Sequence, residues 1–167
     1  MRNNTKKIVV IALIAGLYAA LTLALGFISY GPIQFRIAEV MTLLPLLGKE
    51  YIVALTLGCF LANVIGPYGV PDIIFGTVAT FISVYLVYLT GKNMKDKKGY
   101  VLIASLWPTI VNAIVIGAML NIFFGLPLVL SMLQVGFGQF VVITIIGVPL
   151  FNGFKEKYLN KLKDIMK

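Results

Sequence analysis

The chain has 167 residues, of which 60% are hydrophobic and 12% are charged, and its formal net charge is +8. Its mean hydropathy is +0.99, and several long runs carry no charged residue. A soluble domain of this size cannot bury so much apolar surface, so the composition excludes an ordinary soluble protein. Continuous apolar runs indicate an integral membrane protein made of helices, because unpaired backbone groups are too costly in lipid.

Six apolar runs approach or exceed the length that crosses a bilayer as a helix. Short connections rich in glycine, proline or lysine separate these runs. The second run is the shortest, and an α-helix over it would reach only about 22 Å. The sequence therefore predicts an all-α membrane protein with a single domain over residues 1–167 and six transmembrane helices. The spans are predicted at about 8–28, 33–48, 51–66, 72–91, 100–121 and 128–152.

Basic residues alternate between the connections. They precede the first span, occupy the second connection at Lys49 and the fourth at Lys92–Lys98, and follow the last span at Lys155–Lys167. The first, third and fifth connections carry none, and Arg36 lies just inside the second span. Because positive charge accumulates on the cytoplasmic side, this pattern predicts cytoplasmic termini and a multi-pass protein of the cell membrane. The net charge is thus a mark of membrane topology and does not indicate nucleic acid binding.

Residue types that carry catalytic or metal chemistry are scarce. The chain has no histidine, which removes the commonest metal ligand and general base, and its one cysteine, Cys59, excludes an internal disulfide. The Gly-Lys pairs at 48–49 and 91–92 are followed by Glu50 and Asn93, so neither completes a phosphate-binding loop. We therefore expect no catalytic residue, no metal, no cofactor and no ATP hydrolysis by this chain alone.

Three charged residues lie away from the cytoplasmic flanks, all toward the predicted outer face. Arg36 and Glu39 are three residues apart on one face of the second span, and Asp72 begins the fourth. A charge inside a membrane costs about 2.5–3.5 kcal/mol on insertion scales, so it indicates a functional site by default. Two structural explanations are also open, because Arg36 and Glu39 could neutralise each other and Asp72 could cap its helix.

Polar side chains at similar depth extend this candidate site. Each of them alone could equally be a helix–helix hydrogen bond. Together with the charges they predict a pocket for a small, flat, polar molecule, with amides and carboxylates on its edges and aromatic rings on its faces. The predicted binding residues are Gln34, Arg36, Glu39, Asn63, Tyr68, Asp72, Asn112 and Gln139.

Small residues recur along the first span. Ala12, Gly16 and Ala20 are spaced every four residues, as are Ala15 and Ala19, which lets another helix approach closely. Packing within the chain and docking of a partner subunit explain this spacing equally well. A chain with a predicted pocket, no ATP-hydrolysing motif and a possible docking stripe suggests a binding subunit that takes its energy from partners.

Three stretches resemble the queuosine-precursor transporter family: ALIAGLYAAL from Ala12, YGPIQFRIAEVMTLLPLLG from Tyr30, and ANVIGPYGVPDIIFGTVAT from Ala62. Proteins of this family are S-components, the substrate-binding subunits of energy-coupling factor (ECF) transporters. The resemblance implies a six-helix S-component bundle that captures a 7-deazaguanine such as preQ1, preQ0 or queuine. It also implies a shared transmembrane coupling subunit, two ATPases, and contact of the stripe from Ala15 to Ala19 with the coupling subunit.

Several assignments within this resemblance stay open. The chain could be an S-component for another vitamin or purine, or a secondary transporter that acts alone. Glu39 or Asp72 could accept the two donors of a guanine-like edge, and Gln34, Asn63 or Arg36 could donate to its carbonyl. We further expect the first, third and fifth connections to close over the ligand as lids.

Overall fold

The computed structural model describes residues 2–31, 33–155 and 157, and no strand occurs in this part of the chain. The elements are helix α1, a 3-10 helix η1, and helices α2 to α5, with one short helical turn, Gly26–Ser29, after α1. Helices α3 and α5 each contain a π-helical stretch, Asp72–Gly76 and Phe140–Gly147. The bounds are α1 Arg2–Ala24, η1 Ile37–Leu46, α2 Glu50–Ile65, α3 Gly69–Met94, α4 Tyr100–Phe124 and α5 Leu128–Lys155.

Four helices of the described chain are long and apolar enough to cross a membrane, namely α1 from Thr5, α3, α4 and α5. They coincide, within a few residues, with the predicted spans 8–28, 72–91, 100–121 and 128–152. The other two apolar segments are shorter, at ten residues for η1 and sixteen for α2. Large apolar side chains are exposed on all of the long helices, as lipid contact requires, for example Leu13, Phe81, Ile122 and Leu133.

The predicted second span, 33–48, was wrong in its bounds and helix type. Its helix begins only at Ile37 and is a 3-10 helix, which at 2.0 Å per residue reaches about 20 Å. Pro45 lies inside η1 and has no N–H with which to complete an α-helical ladder. Before η1 the chain bends, and Gln34 has a φ of 53°, which is uncommon for a residue other than glycine.

The 3-10 helix lies at the centre of the bundle. Ala38 packs with residues of α1, α2 and α3, including Tyr18 and Leu55. Leu43 packs with residues of α3, α4 and α5, including Val142. Because η1 contacts all five helices α1 to α5, the side chains at its start lie among several helices. The bend before it packs closely on α5, where a Cβ at Gly138 would collide with the carbonyl oxygen of Ile33.

Contacts between connections define the two ends of the bundle. At one end Lys7 pairs with Glu50 at 3.4 Å, and Lys155 donates to the Tyr100 hydroxyl at 2.6 Å. At the other end the first, third and fifth connections meet through aromatic rings. The apolar segments of the described chain therefore alternate in direction between these ends.

Helices α1 and α2 pack against each other at Gly58. A Cβ at this position would lie 2.9 Å from the Ala15 carbonyl oxygen and 2.9 Å from the Tyr18 Cβ. The opposite face of α1 is exposed, and a Cβ added at Gly16 would have no atom within 4 Å. Glycine at position 58 is thus required by a close approach between helices, whereas Gly16 meets no such constraint.

We predict that Gly58→Ala lowers the free energy of unfolding by about 1–3 kcal/mol, because the added methyl group overpacks the α1–α2 contact. Thermal unfolding of the purified protein in mild detergent, followed by circular dichroism, measures the effect. Gly16→Ala is the matched control and should leave stability unchanged or raise it by up to about 1 kcal/mol. Equal losses in both variants would contradict this account of the packing.

Candidate functional site

The charged residues predicted for the site meet inside the bundle. Arg36 Nη2 lies 3.5 Å from Asp72 Oδ2, and these two side chains are only 7% and 3% exposed. Arg36 Nη1 is 3.9 Å from Cys59 Sγ, and the guanidinium lies 5.3 Å from the centre of the Tyr30 ring. Arg36 therefore connects the start of η1 with α2, α3 and the first connection.

Glu39 follows Arg36 by three residues but does not pair with it. Its Oε1 accepts a hydrogen bond from the Tyr18 hydroxyl at 2.5 Å. Its Oε2 is buried without a hydrogen-bond partner, and Glu39 forms no ion pair with the residues that the structure describes. The alternative in which Arg36 and Glu39 neutralise each other was therefore wrong: Arg36 pairs with Asp72 on α3, and Glu39 binds α1.

Asp72 does not cap its helix, so the second structural alternative was also wrong. Helix α3 begins at Gly69, and no side-chain hydrogen bond caps it. Asp72 instead opens the π-helical turn of α3, a local widening that is frequent at functional sites. Its carboxylate faces Arg36, while its backbone carbonyl accepts a hydrogen bond from Asn63 Nδ2 at 2.9 Å.

Asn63 and Cys59 bring α2 into the same site. Asn63 is fully buried, and since the Asp72 carbonyl can only accept, the hydrogen bond from Nδ2 sets the orientation of the amide. The amide oxygen Oδ1 has no partner. Cys59 Sγ accepts from Thr80 Oγ1 at 3.1 Å and from Asn63 Nδ2 at 3.3 Å. We call this group the polar cluster: Tyr18, Arg36, Glu39, Cys59, Asn63, Asp72 and Thr80.

Three predicted binding residues stand apart from the polar cluster. Gln34 is buried in the bend before η1, Asn112 on α4 and Gln139 on α5. Among the described residues no side-chain hydrogen bond joins them to the cluster, and Gln139 Oε1 is buried without a partner. The structure thus unites Arg36, Glu39, Asn63 and Asp72, and it leaves these three amides as separate buried groups.

Tyr68, the remaining predicted binding residue, belongs to a layer of aromatic rings. Its hydroxyl donates to the Tyr30 carbonyl oxygen at 2.9 Å, and its ring contacts Tyr30 and Phe124 edge to face, with centroids 6.1 and 5.3 Å apart. The Tyr30 hydroxyl in turn donates to the Ala62 carbonyl oxygen at 2.9 Å. We call Tyr30, Tyr68 and Phe124 the aromatic cover, because Arg36 of the polar cluster lies against the Tyr30 ring.

Sequence reasoning missed Tyr18, Tyr30, Cys59 and Thr80 as site residues. Tyr18 had a usable signal, since it shares a helical face with Ala15 and a buried tyrosine hydroxyl needs a hydrogen-bond partner. Cys59 precedes Asn63 by one turn and so shares its face. Tyr30 and Thr80 carried no comparable pattern, because their roles depend on contacts with distant segments.

The predicted docking residues on α1 divide between its two faces. Ala15 and Ala19 are buried within the chain, and Ala15 packs against α2, whereas Ala12, Gly16 and Ala20 are exposed. Contact with a partner stays a prediction for these residues. The exposed three are the ones that a partner could reach without a rearrangement of this bundle.

The polar cluster is suited to binding a molecule that donates hydrogen bonds. In the described residues no group of three or more histidine, cysteine, aspartate or glutamate side chains is arranged to hold a metal ion. Glu39 Oε2 and Asn63 Oδ1 are instead unpartnered acceptors in an interior without other donors for them. Unpartnered buried acceptors are costly, and a ligand with N–H groups would satisfy them.

Comparisons with known proteins bear on what such a site serves. The family described as QueT transporter matches residues 8–156 of the chain. A curated relative, the queuosine precursor transporter QueT of Lactococcus lactis subsp. cremoris (strain MG1363), is 38% identical over 97 residues. These residues are 57% of this chain and 57% of the relative, so the match spans little more than half of either protein. No solved structure matches the chain.

We predict that Arg36→Met lowers the free energy of unfolding by about 3–5 kcal/mol, because it leaves the buried Asp72 carboxylate without its cation. Chemical unfolding in mild detergent, monitored by circular dichroism, measures the change. The matched control is Lys7→Met, which breaks a pair whose side chains are 34% and 22% exposed and should cost less than about 1 kcal/mol. Losses of equal size would show that the buried pair has no special role in the fold.

Proposed function

We propose that this chain, which belongs to the QueT transporter family, captures a queuosine precursor, a 7-deazaguanine such as preQ1, preQ0 or queuine, from outside the cell. The polar cluster carries the proposal, because it is a buried set of ionised and amide groups with unpartnered acceptors in a bundle of apolar helices. The resemblance found in the sequence is confirmed by the family match, and this family is one of transporters rather than enzymes.

The chemistry of a 7-deazaguanine fits the free groups of the site. Its pyrimidinone ring presents an N–H and an exocyclic amine, which are donors for an amide oxygen such as Asn63 Oδ1. In this proposal the flat ring stacks against an aromatic side chain such as Tyr30, whose ring centre lies 5.3 Å from the Arg36 guanidinium. In this proposal the buried amides of Gln34, Asn112 and Gln139 complete the pocket once the ligand is bound.

The proposed topology has six membrane crossings with both termini in the cytoplasm. The end of the bundle with the Lys7–Glu50 and Lys155–Tyr100 contacts is also the end with the basic connections, which supports its cytoplasmic placement. The aromatic cover then lies outside, over the polar cluster. Helices η1 and α2 are short for a bilayer, reaching about 20 and 24 Å, so their ends are completed by the connections beside them.

The energy for uptake is proposed to come from partners, as in ECF transporters. The chain has no phosphate-binding loop, and the exposed stripe Ala12, Gly16 and Ala20 offers α1 as the docking face for a transmembrane coupling subunit. In the proposed cycle the aromatic cover closes over the ligand and the loaded subunit tips against the coupling subunit. ATP hydrolysis by two partner ATPases then resets it.

Isothermal titration of the purified protein in detergent with preQ1, preQ0, queuine and riboflavin tests the proposed substrate class. We expect at least one 7-deazaguanine to bind and riboflavin not to bind. Binding of riboflavin alone would overturn the substrate class and favour an S-component for another vitamin. Liposomes that contain only this chain separate the remaining alternative, because active accumulation of the ligand there would indicate a secondary transporter.

We predict that Tyr68→Phe speeds ligand dissociation by about 5- to 15-fold, because it removes the hydrogen bond that holds the aromatic cover closed. Stopped-flow displacement of bound ligand measures the rate. Tyr85→Phe is the matched control, since Tyr85 is 45% exposed on the outer surface of α3 and should leave the rate unchanged. An unchanged rate in Tyr68→Phe would contradict a role of this contact as a lid.

A further inference from the structure

The charges of the polar cluster do not balance. Arg36 is its one cation, and Asp72 lies 3.5 Å from it as the partner. Glu39 is a second carboxylate, only 1% exposed, and its one partner is the neutral hydroxyl of Tyr18. With both carboxylates ionised, the cluster would carry one negative charge in excess. An ionised group buried without a counter-charge is strongly disfavoured, so the ionised form of Glu39 requires a further positive charge beside it.

The unpartnered atoms of the cluster also require a ligand that donates hydrogen bonds. Glu39 Oε2 and Asn63 Oδ1 are both acceptors, and neither receives a hydrogen bond. The Asn63 amide cannot turn to offer its NH₂ group there without losing the hydrogen bond to the Asp72 carbonyl oxygen. An ammonium group carries a positive charge, three N–H donors and no acceptor. It would therefore balance the second carboxylate and donate hydrogen bonds to the free acceptors.

We infer that Glu39 makes the site selective for cationic ligands, while Asp72 stays paired with Arg36. This inference rests on the proposed function and names the ligand more closely: among 7-deazaguanines, the site prefers one that carries a protonated amine on its side chain. Glu39 Oε2 binds that amine. Tyr18 is a positioning residue, because its hydrogen bond to Oε1 holds the carboxylate with the other oxygen free.

Two compounds with the same ring test the inference directly. PreQ1 carries an aminomethyl group that is protonated at neutral pH, whereas preQ0 carries a neutral nitrile that can only accept. Isothermal titration of the wild-type protein at pH 7 should give an affinity for preQ1 that is about 10- to 100-fold higher, as expected for a hydrogen bond to a charged group. This comparison needs no variant, so it does not depend on a substitution being tolerated.

Variants then assign the effect to Glu39. Glu39→Gln should lose about the same 10- to 100-fold for preQ1 while its affinity for preQ0 changes little, so that the ratio of the two affinities approaches one. Tyr18→Phe is the matched comparison, because it removes the partner of Oε1 but keeps the carboxylate, so the preference for preQ1 should become smaller but persist. Circular dichroism and melting temperature confirm that each variant is folded.

The outcomes separate the inference from the function on which it rests. Equal affinities of the wild-type protein for preQ1 and preQ0 would overturn the charge selection and leave the proposed function standing. Equal losses of both ligands in Glu39→Gln would also overturn it, because Glu39 would then serve the fold and not the choice of ligand. Binding of no 7-deazaguanine would overturn the proposed function itself.

Discussion

The buried ion pair between Arg36 and Asp72 is the contact around which the interior of this bundle is arranged. In surroundings of low dielectric constant an arginine without a counter-charge is strongly destabilising, so Arg36 has to remain beside Asp72. This pairing holds the start of η1 against the π-helical turn of α3. Glu39 then lies where Tyr18 on α1 can reach it, and the Asp72 backbone receives Asn63 from α2. One ion pair thereby links the four elements that build the polar cluster.

Irregular backbone makes this arrangement possible. On a regular α-helix, residues 36 and 39 would project from one face and could pair with each other. Here the bend at Gln34 places Arg36 ahead of the 3-10 helix, so Arg36 reaches α3 and Glu39 reaches α1. Two glycines allow the close packing involved: Gly138 accepts the backbone of the bend, and Gly76 leaves room for the Asn63 amide. As a result the two carboxylates lie apart: Asp72 pairs with the cation Arg36, and Glu39 does not.

Helix α1 connects the interior with the surface of the bundle. Its inner face carries Tyr18, which contacts the carboxylate proposed to bind the ligand, and its outer face carries the exposed stripe Ala12, Gly16 and Ala20. A shift of Glu39 on ligand binding would therefore act on the helix that is proposed to meet the coupling subunit. The aromatic cover joins three connections over the same site, so its proposed closure and the position of α1 would both respond to the polar cluster.

The sequence by itself determined the membrane character, the long helices, the family and the charged residues that meet in the polar cluster. Hydropathy and lysine distribution are properties of local composition, and Arg36, Glu39 and Asp72 stand out because charge is rare in such runs. Only the tertiary structure decided which acid pairs with Arg36, that Tyr18 and Cys59 join the cluster, and that Ala15 and Ala19 are covered. Those outcomes depend on the rotation of each helix and on the 3-10 and π-helical stretches. Residue spacing within one segment predicts neither the helix rotations nor these irregular stretches, because both arise from packing between segments that are distant in the chain.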